Sequence, residues 1–483
     1  MKPPRPGRGP ARSAGRAART AVLGLVAALV APALGSLPAQ AGTAPVPGSP
    51  GIGDPYFPLD GNGGIDVRRY EVHDSYRFAR GRLSGRTVVT LEATEDLSRF
   101  QLDFLLPVRG VRVDGRPVGW SRPDRHELRI DAPLTRGSTY DVVVRYAGRP
   151  GKRSWDGERS WLADDTEVVA MNEPHMATWW FPANDHPRDK ALMDISITVS
   201  RDRDVIANGR RVSRTVHGRR ATTRWRAAEP MAPYLAFFAA GHFVVRKGRS
   251  HGLPWLVAVS KEVPKPTRAR SLRLMRRTPA IVHWLQGELG RYPFSSTGGL
   301  TTGLSPGFAL ENQTRPTYPV LSSGSVGTVV HELAHQWFGD SVAVRSWRDI
   351  WLNEGAATFM EARYAEAHGG ERAQQWMEDW YDSLGGQPSF WSLDVADPGP
   401  AHLFDWPVYQ RGGMALQALR HRIGNDDFWR LLRTWLRTKA RGNGSTEEFT
   451  ALAERVSGED LDGFFDAWLR DPGRPARTAA NGF

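Results

Sequence analysis

The chain has 483 residues, enough for roughly two to four domains each with its own core, and no cysteine, which excludes disulfides and thiol chemistry. Its formal charge of +12 comes from 64 basic and 52 acidic side chains. Six of the basic residues and none of the acids lie in the first 41 residues, so the remainder is only +6 and contains no concentrated Lys/Arg block. That is no nucleic-acid signature, and no nucleic-acid partner is expected.

Residues 1–41 read as a signal peptide. Lys2, Arg5, Arg8, Arg12, Arg16 and Arg19 form a basic region, 21–37 is an apolar run interrupted by Pro32 and Gly35, and Ala39-Gln40-Ala41 offers a small-x-small cleavage site. The run is short for a spanning helix, so export without stable membrane insertion is expected. Residues 42–53, rich in Pro, Gly, Ala and Ser, read as a flexible leader.

Residues 54–245 read as an all-β domain. The segments 111–113, 128–130, 142–146, 195–199 and 223–226 alternate in polarity or are rich in β-branched residues, and Asp114-Gly115 and Asn208-Gly209 punctuate them as turns. No helical period of any length competes. The expected form is an antiparallel β sandwich or saddle. Near Arg246 the composition shifts, and 267–289 predicts a helix with Leu272, Leu274, Ile281, Trp284 and Leu285 along one side. From Gln374 onward the pattern is helical almost throughout. Ser445-Thr-Glu-Glu448 is a capping box, and Ser457-Gly-Glu-Asp460 reads as another helix start. The fold class is therefore α+β and multidomain, with the β domain at 54–245 followed by a mainly helical domain at 246–483.

One stretch of the helical half carries chemistry. In Val329-Val-His-Glu-Leu-Ala-His335, His331 and His335 are four residues apart, which puts both imidazoles on one helix face where they can share a Zn²⁺. Glu332 lies one step round, within reach of the water that the metal activates. A catalytic zinc takes three protein ligands and leaves a fourth position open. Continuation as H-E-x-x-H-x-x-G-x-x-H fails, because Phe338 and Ser341 stand in the last two places. The other known arrangement takes a carboxylate from a following helix, and Glu354 in Trp351-Leu-Asn-Glu-Gly355 supplies it after 18 intervening residues. A lone carboxylate in so apolar a segment needs such a reason.

His331-Glu332-x-x-His335 with Asn353-Glu354-Gly355 at this distance resembles the gluzincin aminopeptidases of the aminopeptidase N and leukotriene hydrolase family. Three further segments resemble it in the same order. Glu173-Pro-His-Met-Ala-Thr-Trp-Trp-Phe-Pro-Ala-Asn-Asp185 is similar to the stretch whose leading Gln or Glu touches the substrate amine, with Thr178 where an Arg is usual. Gly307-Phe-Ala-Leu-Glu-Asn312 is similar to the family's Gly-Ala-Met-Glu-Asn motif, with Phe308 for its Gly and Leu310 for its Met. Tyr409-Gln-Arg-Gly-Gly413 is similar to its Tyr-x-Lys-Gly segment.

The resemblance implies a thermolysin-like catalytic domain, one Zn²⁺ per chain on His331, His335 and Glu354, and an exported zinc aminopeptidase acting on peptides with a free N-terminus. It implies Glu332 as general base, Tyr409 as donor to the oxyanion, and Glu311 and Glu173 as holders of the substrate ammonium. Glu361, seven residues after Glu354 and so on the same helix face, is expected to accept a hydrogen bond from a zinc-binding histidine. The chain ends soon after Leu469, so a short form without the family's large C-terminal helical domain is expected. A thermolysin-like endopeptidase, which needs the triad and base but no amine holder, is the alternative, and an inactive peptide-binding scaffold is a third. Core packing is the reading for Trp179, Trp180, Trp337, Trp347 and Trp351, and Asp185, Asp340 and Asp349 are left without a role.

Overall fold

The structure is a computed structural model that describes residues 44–322 and 324–483. The signal-peptide reading of 1–41 lies outside the described residues. Among the described residues no helix is long and apolar enough to cross a membrane.

The N-terminal half is β. Its main sheet has eight strands in the order Arg210–His217, Arg220–Met231, Ala191–Ser200, Ile65–Arg77, Arg82–Ala93, Thr139–Gly148, Val108–Val113 and Arg116–Pro117. Alternation buries one face. In Arg82–Ala93, Leu83, Val89, Leu91 and Ala93 are fully covered while their neighbours are partly exposed. The expected antiparallel order has one correction inside this sheet. Ala191–Ser200 runs parallel to Ile65–Arg77, in the register Leu192↔Arg69 to Thr198↔Ser75, because the chain leaves the sheet after Thr139–Gly148 and re-enters it at Ala191 on the heading of Ile65–Arg77. Two four-stranded sheets complete this half. One orders Val46–Pro47, Leu97–Asp103, Glu127–Asp131 and Gly119–Ser121; the other orders Trp161–Ala163, Val168–Ala170, Phe238–Gly241 and Asp204–Ala207.

The leader reading is corrected over 45–53. Val46–Pro47 lies parallel to the Leu97–Asp103 strand, and Gly48 donates to Arg99 O at 2.9 Å. An extended Pro/Gly stretch has the backbone shape of an edge strand, so it pairs where an edge is offered.

The compositional shift at Arg246 falls inside the strand Phe243–Ser250. That strand opens a separate sheet, continued by Leu253–Ser260, Thr297–Thr301 and Thr317–Tyr318. The predicted helix over 267–289 is two helices, α1 (Lys265–Met275) and α2 (Thr278–Leu289), because Pro279 in the first turn of α2 cannot continue a helix through Arg276-Arg277. Beyond them come α3 (Val326–Ala334), α4 (Trp351–Ala367), α5 (Ala373–Ser383), α6 (Trp406–Ile423), α7 (Asn425–Thr438) and α8 (Thr446–Ser457). The capping box at Ser445 is present, with Glu448 N donating to Ser445 Oγ at 3.4 Å and Ser445 N donating to Glu448 Oε2 at 3.0 Å. Ser457 does not start a helix. It ends α8, and Gly458 at φ 73° caps it, so Glu459 and Asp460 fall in the turn that follows.

The two halves are tied through backbone atoms. Lys190, from the β half, donates to the carbonyls of Asp340, Ser341 and Gly442 at 2.9–3.0 Å. Asn208 reaches Gln313 O at 2.9 Å. Asp54 Oδ2 accepts from Ser346 Oγ and Trp347 N, both at 3.0 Å, where the chain enters α4. Trp179, Trp180, Trp337, Trp347 and Trp351 are all at most 2% exposed, and none lines the cavity described next.

Candidate active site

α3 is apolar nearly all round. Val329, Val330 and Leu333 are fully covered, each contributing about 1.5–3 kcal/mol by leaving water. The helix stops at Ala334, with His335 in its C-cap still in the right-handed helical region, and the chain then reverses at Gly339. Gly339 has φ 121°, which only glycine adopts freely, and its N–H donates to Val342 O at 2.8 Å. The turn carries the chain to a 3₁₀ turn, Trp347–Asp349, closed by a capping box between Ser346 and Asp349. Asp349 also accepts from Thr446 N and Oγ1 at 2.9 Å. α4 starts from that anchored turn with Glu354 in its first turns.

α4 and α6 cross in close backbone contact. A Cβ on Gly355 would sit 2.8 Å from Gly412 C, and one on Gly412 would sit 3.1 Å from Gly355 Cα. Gly413 is equally confined, by Thr358 at 3.0 Å. Tyr409, one turn before Gly412 on the same face, is thereby brought to the Glu354 side of α4. Its ring lies 5.9 Å from that of His331, at 20°. The following Arg411 is fully buried and donates to the carbonyls of Trp391, Leu393, Ala467 and Asp471 at 2.7–3.1 Å.

His331, His335 and Glu354 converge. His331 Nε2 is 3.2 Å and His335 Nε2 3.4 Å from Glu354 Oε2. Each imidazole is oriented through its other nitrogen: His331 Nδ1 lies 2.8 Å from Glu361 Oε1, and His335 Nδ1 lies 3.0 Å from Phe338 O. Two Nε2 lone pairs and one carboxylate oxygen pointing at a common centre, with the remaining nitrogens held by acceptors, are a donor set that fits zinc. Burial opposes charge on both imidazoles, but Glu354 holds them above the usual range, His335 at about 9. Burial likewise opposes charge on Glu354, and the two histidines overcome it, holding the carboxylate at about 2. Protons and a metal compete for the same Nε2 positions.

These residues line one cavity of about 460 Å³ with Glu332, Tyr409, Glu311, Glu173 and Glu361. Burial raises Glu332 to about 8 against the pull of His331 and His335. Burial, then the charge of Glu354, raises the Tyr409 phenol, which therefore keeps its proton as a donor. Glu311 is 2% exposed, accepts from Tyr234 Oη at 3.2 Å, and has its carbonyl held by Gln336 Nε2 at 2.9 Å. Glu173 Oε1 has no hydrogen-bond partner. Burial, then the neighbouring charge of Glu311, pushes Glu173 up.

The sequence pattern did not point to Tyr234, Gln336, Asn172, Thr328 or Phe404. Gln336 had a local signal, as a polar residue flanked by the buried His335 and Trp337. Of the acids left without a role, Asp185 accepts from Thr178 N and Oγ1 at 3.0 and 2.8 Å, and Asp349 is the capping residue above. Asp340 is fully buried with neither carboxylate oxygen hydrogen-bonded.

Residues 310–468 match the family model described as "Peptidase family M1 domain". The chain is 25% identical over 407 residues to tricorn protease-interacting factor F2 of Thermoplasma acidophilum, covering 79% of this chain and 50% of that protein. It is 25% identical over 435 residues to aminopeptidase N of Lactococcus lactis subsp. lactis, covering 82% and 50%. The chain thus spans about half the length of the curated relatives it matches. Among solved structures it is similar to a mutant M1 zinc metallopeptidase of Deinococcus radiodurans bound to a Tyr-Ser-Ala substrate, with a TM-score of 0.80 and 28% identity over 89% of this chain and 100% of that one.

Proposed function

From the premise that the chain belongs to peptidase family M1, we propose that it is an exported zinc aminopeptidase that removes N-terminal residues from peptides. The observation that carries the exopeptidase reading is the pair Glu311, fully buried, and Glu173, half-buried with its Oε1 covered, in the same cavity as the histidine–glutamate triad and without a basic partner of their own. An ammonium buried without a counter-charge costs several kcal/mol, and two carboxylates beside it offset that cost. His331, His335 and Glu354 would hold the metal. When bound, zinc supplies Lewis-acid polarisation of a carbonyl and a lowered pKa for water.

The chain's own groups do the rest. Glu332 accepts the proton of the attacking water and passes it to the leaving nitrogen. Tyr409 donates to the oxygen that becomes an oxyanion. Glu361 keeps the His331 ring turned so that Nε2 faces Glu354.

A panel of aminoacyl fluorogenic substrates, each free and N-acetylated and each with and without chelator, tests this reading. Cleavage only of free-amine substrates, abolished by chelator, is expected. Efficient internal cleavage of blocked peptides would move the protein to the endopeptidase class, and no cleavage at all would leave a peptide-binding scaffold. Export rests on the basic, apolar and Ala-Gln-Ala order of 1–41. Sequencing the secreted protein should find Gly42 at its N-terminus, and an intact Met1 would refute cleavage there.

A further inference from the structure

Within the β half, the strand Leu97–Asp103 pairs antiparallel with Glu127–Asp131 in a register that sets Asp103 directly opposite Glu127. Two carboxylates face to face on one ladder repel, and the repulsion grows with burial. Both are fully buried, and His126 beside them is 1% exposed. His126 Nδ1 lies 3.7 Å from Asp103 Oδ1 and 3.5 Å from Glu127 Oε1, and one donor atom from each of the three falls within 4.8 Å of the others. Neither nitrogen of His126 and neither carboxylate oxygen of Glu127 has a hydrogen-bond partner. Among the described residues no lysine or arginine comes within 4.0 Å of either acid.

We propose that Asp103, His126 and Glu127 hold a first-row transition dication such as Zn²⁺, in a closed structural site separate from the cleft. A dication would cancel the two carboxylate charges. An imidazole in the donor set favours zinc-like ions over calcium or magnesium. Asp103 is oriented as metal-binding carboxylates are: its Oδ2 accepts from Gly61 N at 3.2 Å and Asp185 N at 2.6 Å, and Asn62 Nδ2 donates to Oδ1 at 3.1 Å. The indole of Trp155 lies flat on His126, with centroids 3.9 Å apart at 11°, and shuts the imidazole off on that side. A cluster so enclosed takes its ion as the chain folds.

Elemental analysis of the full chain, equilibrated with Zn²⁺ and dialysed against metal-free buffer, should find two first-row metal ions per chain. Glu127→Gln and His126→Ala should each hold one, keep peptidase activity, and melt at lower temperature. Glu354→Gln should also hold one, but without activity, which separates the two sites. One ion in the wild type, or two in both Glu127→Gln and His126→Ala, would overturn the site and leave the acids sharing protons. Should the variants fail to fold, the wild-type count alone decides.

Discussion

Among the described residues, a histidine and carboxylates converge closely enough to share one ion both in the helical cleft and inside the β half. In the cleft each imidazole has one nitrogen tied, to Glu361 or to Phe338 O, and one directed at Glu354, and the group opens into a cavity. In the β half His126 has neither nitrogen tied, and Trp155 covers it. Converging donors say only that a cation fits. The proposed reactivity of the cleft rests on groups beyond those that would hold an ion, for Glu332 and Tyr409 line an open cavity there, whereas Asp103, His126 and Glu127 are at most 1% exposed.

The sharpest way to break that contrast is to make the same isosteric change on each side. Glu332→Gln should leave metal content and melting temperature unchanged while kcat falls by roughly 10²–10⁴, because an amide cannot take the proton. Glu127→Gln should do the reverse. Activity within a few-fold of wild type in Glu332→Gln would mean that another base operates. Next in size, Tyr409→Phe should lower kcat by roughly 10²–10³ with little change in KM. Parallel changes in both constants would reduce Tyr409 to a packing residue. The smallest effect belongs to the orienting partner. Glu361→Gln should weaken zinc affinity by roughly 10–100-fold, read by competition with a chelator, while activity at saturating zinc stays near normal. An unchanged affinity would show that the His331 ring needs no such help.

The cleft was legible because its geometry is local. A four-residue step on one helix places His331 beside His335, and a seven-residue step places Glu361 on the face of Glu354, while the known arrangement of the third ligand says that the two helices meet. Tyr409 was reached only through family likeness, although the glycines after it had a physical meaning that the structure supplies. The β cluster was invisible. Asp103 and Glu127 meet through strand register, and no pattern in either segment says which residue of one strand will face which of the other. The same limit hid the parallel pairing of Ile65–Arg77 with Ala191–Ser200. The helix break before Pro279 and the αL stop at Gly458 were readable from residue type, and there the apolar period and the Ser-x-x-Asp pattern were given too much weight.

The contact of Gly355 with Gly412 has a mechanical consequence. Glu354 precedes one of these glycines and Tyr409 stands a turn before the other, so the spacing between the proposed metal ligand and the proposed oxyanion donor is gauged by two main chains touching, with no side chain in between to flex. Phe308 and Phe404, at the mouth of the cavity, hang from other segments and are 42% and 37% exposed. Substitutions at the mouth can alter which residue the pocket admits without transmitting a displacement to the reacting groups. Selectivity is free to drift where the catalytic gauge is not.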